Sequence, residues 1–93
     1  MAQLLQPDGT TTEMRPAHGA EFTLDELQTA VGNGYIEAVY LEGGRVMFVN
    51  EDGKRLALSI NPQACALAHA AHAIYPTDVI VGPAIICGPE EIS

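Results

Sequence analysis

The chain has no tryptophan, two cysteines and four basic residues among 93, and each shortage excludes something. Twelve acidic against four basic residues give a net charge of -8, with no cluster of Lys or Arg. Binding to a phosphate backbone needs such a cluster to displace counterions, so nucleic acid is excluded as a partner. The carboxylates are scattered and form no run of like charge, so they read as solvated surface. Cys65 and Cys87 lie far apart and match no Cys-x-x-Cys spacing, which leaves free, reduced thiols with neither a disulfide framework nor a thiolate metal site. The start, Met1-Ala2-Gln3-Leu4-Leu5-Gln6, has no basic segment followed by a long apolar run, and no window approaches a membrane span. The expectation is a cytoplasmic protein. No repeat or low-complexity linker interrupts the chain, whose length suits a single domain over residues 1–88, followed by a short tail over 89–93.

What is present is a sequence of clear element signals. Gln3 to Gln6, Pro7-Asp8-Gly9 and Thr10 to Arg15 have the form of strand, turn and strand. After a connector at 16–21, Thr23-x-x-Glu26 is a capping box. Phe22 and Leu27 are spaced as the accompanying hydrophobic staple. Leu24, Leu27 and Val31 fall on one face of the helix that follows, and Gly32 stands where a left-handed residue ends it.

From Gly34 to Ile60 the pattern predicts a three-stranded meander. Alternation puts Tyr35, Glu37, Val39 and Leu41 on one side of the first strand and Ile36, Ala38 and Tyr40 on the other. Both sides are mostly apolar, which predicts a central strand. Gly43-Gly44 turns into Val46 to Asn50, and Glu51-Asp52-Gly53 turns again into Lys54 to Ile60. Asn61-Pro62 then starts a second helix, running to about Ala73, with a stripe of Ala64, Leu67, Ala68, Ala71 and Ile74 or Tyr75. The last apolar run, Val79 to Cys87, predicts a buried strand, with a bulge or edge position at Gly82-Pro83 because proline donates nothing to the ladder. The fold class is α+β, in the order ββ-α-βββ-α-β, with a mainly antiparallel sheet and two helices packed on it.

Four segments carry a family resemblance: Gly34-Tyr35-Ile36-Glu37, Asn50-Glu51-Asp52-Gly53-Lys54, Leu58-x-x-Asn61-x-x-Ala64 and Asp78-x-Ile80-x-Gly82. Together they are similar to the pattern of domain of unknown function 3846, over about residues 22 to 87 and more loosely at Pro7-Asp8-Gly9. Asn33 between the two glycines and Ser59 in place of an expected proline depart from that pattern. The resemblance implies a small accessory protein of phages, plasmids or other mobile elements, with no agreed activity and no established catalytic residues. Such proteins often act by binding a host or defence component.

No nucleophile and base, carboxylate pair or phosphate cradle forms a recognisable motif, and Gly32-Asn33-Gly34 follows a helix rather than a strand. The chain therefore reads as non-enzymatic, with no cofactor. Its expected mode is protein-protein contact, with a host or defence protein as partner and a homo-oligomer formed through a sheet face left bare by the helices. The residues expected at that contact are Tyr35, Tyr40, Phe48, Asn50, Glu51 and Asp52. The competing assignments for the Asn residues and Asp52 are ordinary caps and turn bonds.

A second reading is an oligomeric binder of a small ligand or nucleotide signal. It requires Arg45, Lys54 and Arg55, together with Arg15, to converge, with Asn61 beside them. Cys65, His69 and His72, at i, i+4 and i+7 of the second helix, have a spacing that can chelate. Three ligands fall one short of a structural zinc site, and histidines on the boundary of an Ala-rich helix are the plainer account. Glu37 is expected to pair with Arg45 or Arg55 across the meander.

Overall fold

The opening residues pair as the turn chemistry dictates. In the computed structural model, which describes residues 2–92, β1 (Ala2–Leu5) and β2 (Thr11–Met14) are antiparallel. The turn between them is closed by Asp8, whose carboxylate accepts the Thr10 amide at 2.8 Å. The Thr10 side chain first, and that amide bond second, hold the Asp8 carboxyl below the usual carboxylate range.

The first helix, α1 (Leu24–Ala30), has the cap its sequence specifies. Thr23 Oγ1 accepts the Glu26 amide at 3.2 Å and Glu26 Oε1 accepts the Thr23 amide at 2.9 Å. Its end is a Schellman motif, with Gly32 at φ 92° donating to Thr29 and Asn33 donating to Gln28. Phe22 and Leu27 are both buried, whereas Leu24 is exposed, so the apolar stripe is narrower than the spacing predicted.

Five strands form one antiparallel sheet in the order β2-β1-β5-β4-β3, where β3 is Ile36–Tyr40, β4 Val46–Asn50 and β5 Ala84–Cys87. This α+β fold differs from the sequence-based order in one element. Residues 54–60 do not form a strand. The Leu56 amide bonds to the Asp52 carbonyl, Ala57 to Lys54 and Leu58 to Gly53, and Ala57 sits at φ 55°. Local turn bonds, begun by Asn50 Oδ1 accepting the Asp52 amide at 2.9 Å, win over the strand pattern, and only Ile60 bridges, to Val81.

Two strand positions are also corrected. β3, predicted to be central, is an edge, and β5 is the centre, between β1 and β4. Gly82-Pro83 precedes β5 rather than interrupting it, so the missing proline donor costs the ladder nothing.

The second helix, α2 (Pro62–Ala70), begins at Asn61 as its sequence specifies and stops three residues earlier than the alanine run suggested. His72, at φ 53°, donates to His69, and Ala73 donates to Ala68, a Schellman ending with histidine in the place glycine normally takes.

The helices lie on opposite faces of the sheet. Leu27 and Val31 of the α1 side pack with Ala2, Ile85 and Cys87. Ala64 and Ala68 of α2 pack with Leu5, Met47, Val49, Ala84 and Ile86. Among the described residues each sheet face carries a helix, which overturns the expectation of one face free of helices for oligomerisation. Residues 89–92 are not a tail either: Glu91 is buried and accepts the Phe22 amide on its carbonyl at 2.8 Å, and Ile92 packs on the α1 side.

The centre of this arrangement is Asn61, which is fully buried. Its Nδ2 donates to the carbonyls of Leu5 and Gly82, both at 2.9 Å, and its Oδ1 accepts the Ala64 amide at 3.2 Å. Truncation strands two carbonyls and an amide in the interior. Asn61→Ala is expected to lower the unfolding free energy by about 2–4 kcal/mol in urea denaturation. The exposed Leu24→Ser should stay within about 0.5 kcal/mol of wild type.

Candidate functional site

Beside the β3 edge the fold leaves an open groove of about 1010 Å³, between the ends of β3 and β4, the 51–54 turn and the chain that leads from α2 to β5. Odd-numbered residues of β3 and β4 face this side, so Val39 and Val49 form the floor with Ile80, Ala73 and Ile74. Glu37, Glu51, His72 and Tyr75 stand at the rim. Of the two residues offered for the end of the core stripe, Ile74 packs against the α2-side core and Tyr75 is 81% exposed.

One end of the groove is held by an ion pair. Lys54 Nζ contacts Asp78 Oδ1, and Asp78 also accepts the Val79 amide at 2.8 Å. Lys54 first, and the Val79 amide second, hold the Asp78 carboxyl below the usual range. The pair is largely solvated, so it fixes geometry more than it adds stability.

The chain along this wall is tied to α2 by side chains that the spacing had marked as ligands. Cys65 Sγ accepts the Ile80 amide at 3.1 Å and also lies 3.5 Å from the Ile80 carbonyl. His69 Nε2 lies 2.9 Å from the carbonyl of Asp78. His72 terminates the helix in the left-handed region. The three do not converge, and among the described residues no group of three His, Cys, Asp or Glu is placed to hold a metal ion.

The other predicted residues divide by burial. Tyr35, just before β3, and Tyr40, at its end, are 70% and 72% exposed, and Glu51 is exposed at the groove. Asp52 is half-buried and paired with Arg55 at 3.2 Å. Asn50, in contrast, is buried, with Nδ2 donating to the Val31 carbonyl at 3.2 Å, so it is a brace between α1 and β4 and not a surface contact. Phe48 is half-buried against the α1-side core and is likewise removed from the contact surface.

The basic residues do not converge. Lys54 is in the groove, Arg55 is on the 51–57 turn, Arg45 borders a separate depression with Gln3, Ile86 and Pro89, and Asn61 is interior. Glu37 pairs with neither arginine: it stands opposite Val49, while Arg45 Nε donates to the Glu42 carbonyl.

The motif glycines have steric reasons. A Cβ on Gly53 would stand 2.8 Å from Val81 Cγ2, and one on Gly34 would stand 3.0 Å from Asn50 Nδ2. The shared pattern therefore records close packing around Asn50 and the 51–54 turn. Sequence reasoning missed the groove because its floor valines are themselves buried core residues, so the sequence reads them as core and gives no sign of an opening beside them.

No helix among the described residues is long and apolar enough to cross a membrane. Cys87 is fully enclosed, and burial, followed by the charge of Glu91, pushes its thiol up to about 12. Cys87 should resist iodoacetamide in the native state, as read by mass spectrometry, and react on unfolding. The unfolded chain ionises this thiol near 9 and the folded one does not, so stability is full below that pH and falls as pH rises towards 12. His72→Gly removes a left-handed side chain and should raise stability by about 1 kcal/mol in urea titration.

No curated protein and no solved structure matches the chain. The family model described as a domain of unknown function, DUF3846, matches residues 4–93, so the match takes in the β1–β2 hairpin and the chain through Glu91 as well as the segments around Asn50 and Asn61. Over that length, the chain belongs to the DUF3846 family.

Proposed function

We propose that this chain is a non-enzymatic accessory protein, of the kind carried by phages and other mobile elements, that acts by contact with a host or defence protein. The groove is the contact surface in this reading. What supports it is the pairing of an apolar floor, Val39, Val49 and Ile80, with an exposed aromatic wall at Tyr75 and two rim carboxylates, Glu37 and Glu51. An apolar centre with a polar rim is the usual anatomy of a protein contact, and a projecting tyrosine supplies buried area at low entropic cost.

Four polar side chains are already engaged in the fold: the buried Asn50 and Asn61 and the half-buried Cys65 and His69 all bond to backbone. That leaves shape and rim charge as the means of recognition. The rival reading, an anionic ligand such as a nucleotide signal, is disfavoured by the separation of Arg45 from Lys54 and by the engagement of Lys54 with Asp78. A groove of this size matches the upper range of small-molecule sites, which is what keeps a neutral or cationic ligand as the second reading.

A photo-crosslinking residue placed at Tyr75 tests the first reading, with the same residue at Thr12 of β2 as control. In host-cell extract the Tyr75 position should yield a discrete protein adduct that excess unmodified protein competes away, and Thr12 should not. Absence of any competable adduct at Tyr75 would overturn the contact surface.

A further inference from the structure

With a helix on each face, the sheet has only its two edges left for association, and the edges differ. β2 carries Thr11, Thr12 and Glu13 and runs into Arg15 and Pro16, a polar edge of the type that resists pairing. β3 reads Ile-Glu-Ala-Val-Tyr, with a single charge.

The hydrogen-bond parity of β3 follows from its flanks. Glu51 donates to the Tyr35 carbonyl at 2.8 Å and Leu41 donates to the Arg45 carbonyl at 2.9 Å, in the register that pairs Glu37 with Val49 and Val39 with Met47. Residues 35, 37, 39 and 41 therefore turn their backbone groups to β4, and Ile36, Ala38 and Tyr40 turn theirs outward. Among the described residues no hydrogen bond reaches those outward groups.

We infer that a second copy of this chain covers that edge, β3 against β3 and antiparallel, about a two-fold axis at Ala38. The outward residues then pair only with outward residues: Ala38 with its own copy, and Ile36 with Tyr40 in both directions. On the α1 side, the exposed Tyr40 of each copy lands on Ile36 of the other, a half-buried member of the α1-side core. On the groove side, the exposed Tyr35 lands opposite Leu41, a buried member of the α2-side core. Tyr40 of β3 and Tyr35 just before it thus each extend a core of the other copy, and aromatic against aliphatic is a favourable cross-strand pair.

Charge and packing favour this register over its two neighbours, since a shift that pairs Tyr40 with Ala38 removes Tyr40 from Ile36 and sets Glu37 against Leu41. The favoured register sets Glu37 opposite Val39, whereas a shift that pairs Ile36 with Ala38 sets Glu37 against Glu37, which is repulsive. The dimer joins two sheets into one of ten strands, with the two grooves adjacent across the axis. It stands on the edge geometry and does not need the partner reading above.

Sedimentation equilibrium over a concentration series tests it, with circular dichroism to monitor the fold. The wild type should be a dimer, and Tyr40→Lys should keep the wild-type spectrum while weakening dimerisation about tenfold or more. Ala38→Cys should form a disulfide-linked dimer on mild oxidation, since directly opposed residues have a Cα separation within disulfide range, and the wild type with its native Cys65 and Cys87 should not. A wild type monomeric at every concentration overturns the inference. So does a dimer that survives Tyr40→Lys unweakened, or one whose Ala38→Cys form stays uncrosslinked.

Discussion

The side chain of Asn61 ties three parts of the chain together by hydrogen bonds in the interior. Its amide reaches the end of β1 at Leu5 and the approach to β5 at Gly82, and its oxygen starts α2. Its backbone is engaged too, donating to Ile80 and accepting from Cys65. A buried amide costs free energy unless every group is satisfied, and once satisfied it admits few alternative arrangements. The helix cap is thereby also the lock between the outer hairpin and the central strand. Displacing it would release α2, and with α2 the Cys65 and His69 bonds that hold the groove wall.

The sheet is organised about β5, all four of whose residues are buried, with Ile85 and Cys87 turned to α1 and Ala84 and Ile86 to α2. One short helix per face covers the centre of a five-stranded sheet and falls short of its ends. The groove beside β3 and the exposed tyrosines along it follow from that shortfall. Architecture produces this surface, which is why its floor is made of ordinary core valines.

Local signals in the sequence were strong where the chemistry is local. The Thr23–Glu26 box, the Gly32 stop, the Pro7-Asp8-Gly9 turn and the Asn61-Pro62 start all stand as their residue types require. The family, too, was legible, because its glycines and asparagines are fixed by close packing. What failed was non-local. A strand that is mostly apolar on both sides looks central, yet β3 is an edge, since pairing order depends on where β1 and β5 arrive. The run from Lys54 to Ile60 alternates as a strand would, but Asn50 and the Asp52–Arg55 pair coil it first. His72 gave no hint of a helix stop, for glycine is the residue that advertises one.

The predicted contact residues divided along the same line. Tyr35, Tyr40 and Glu51 are exposed, whereas Asn50, chosen from the shared pattern, and Phe48, chosen because strand alternation assigned it to an uncovered sheet face, are both packed into the fold. The groove as a whole, with Tyr75 opposite β3, came from tertiary placement of the chain between α2 and β5 and had no signature of its own.

The central claim is that Asn61 is a closed, fully engaged lock. Hydrogen exchange of side-chain amides, followed by NMR, addresses it directly by comparing Asn61 with Asn33, which is exposed in the loop after α1. The account predicts that the Asn61 amide protons exchange only with global unfolding, as slowly as the backbone amides of β5, while those of Asn33 exchange at the rate of free solvent contact. Exchange of Asn61 as fast as that of Asn33 would contradict it.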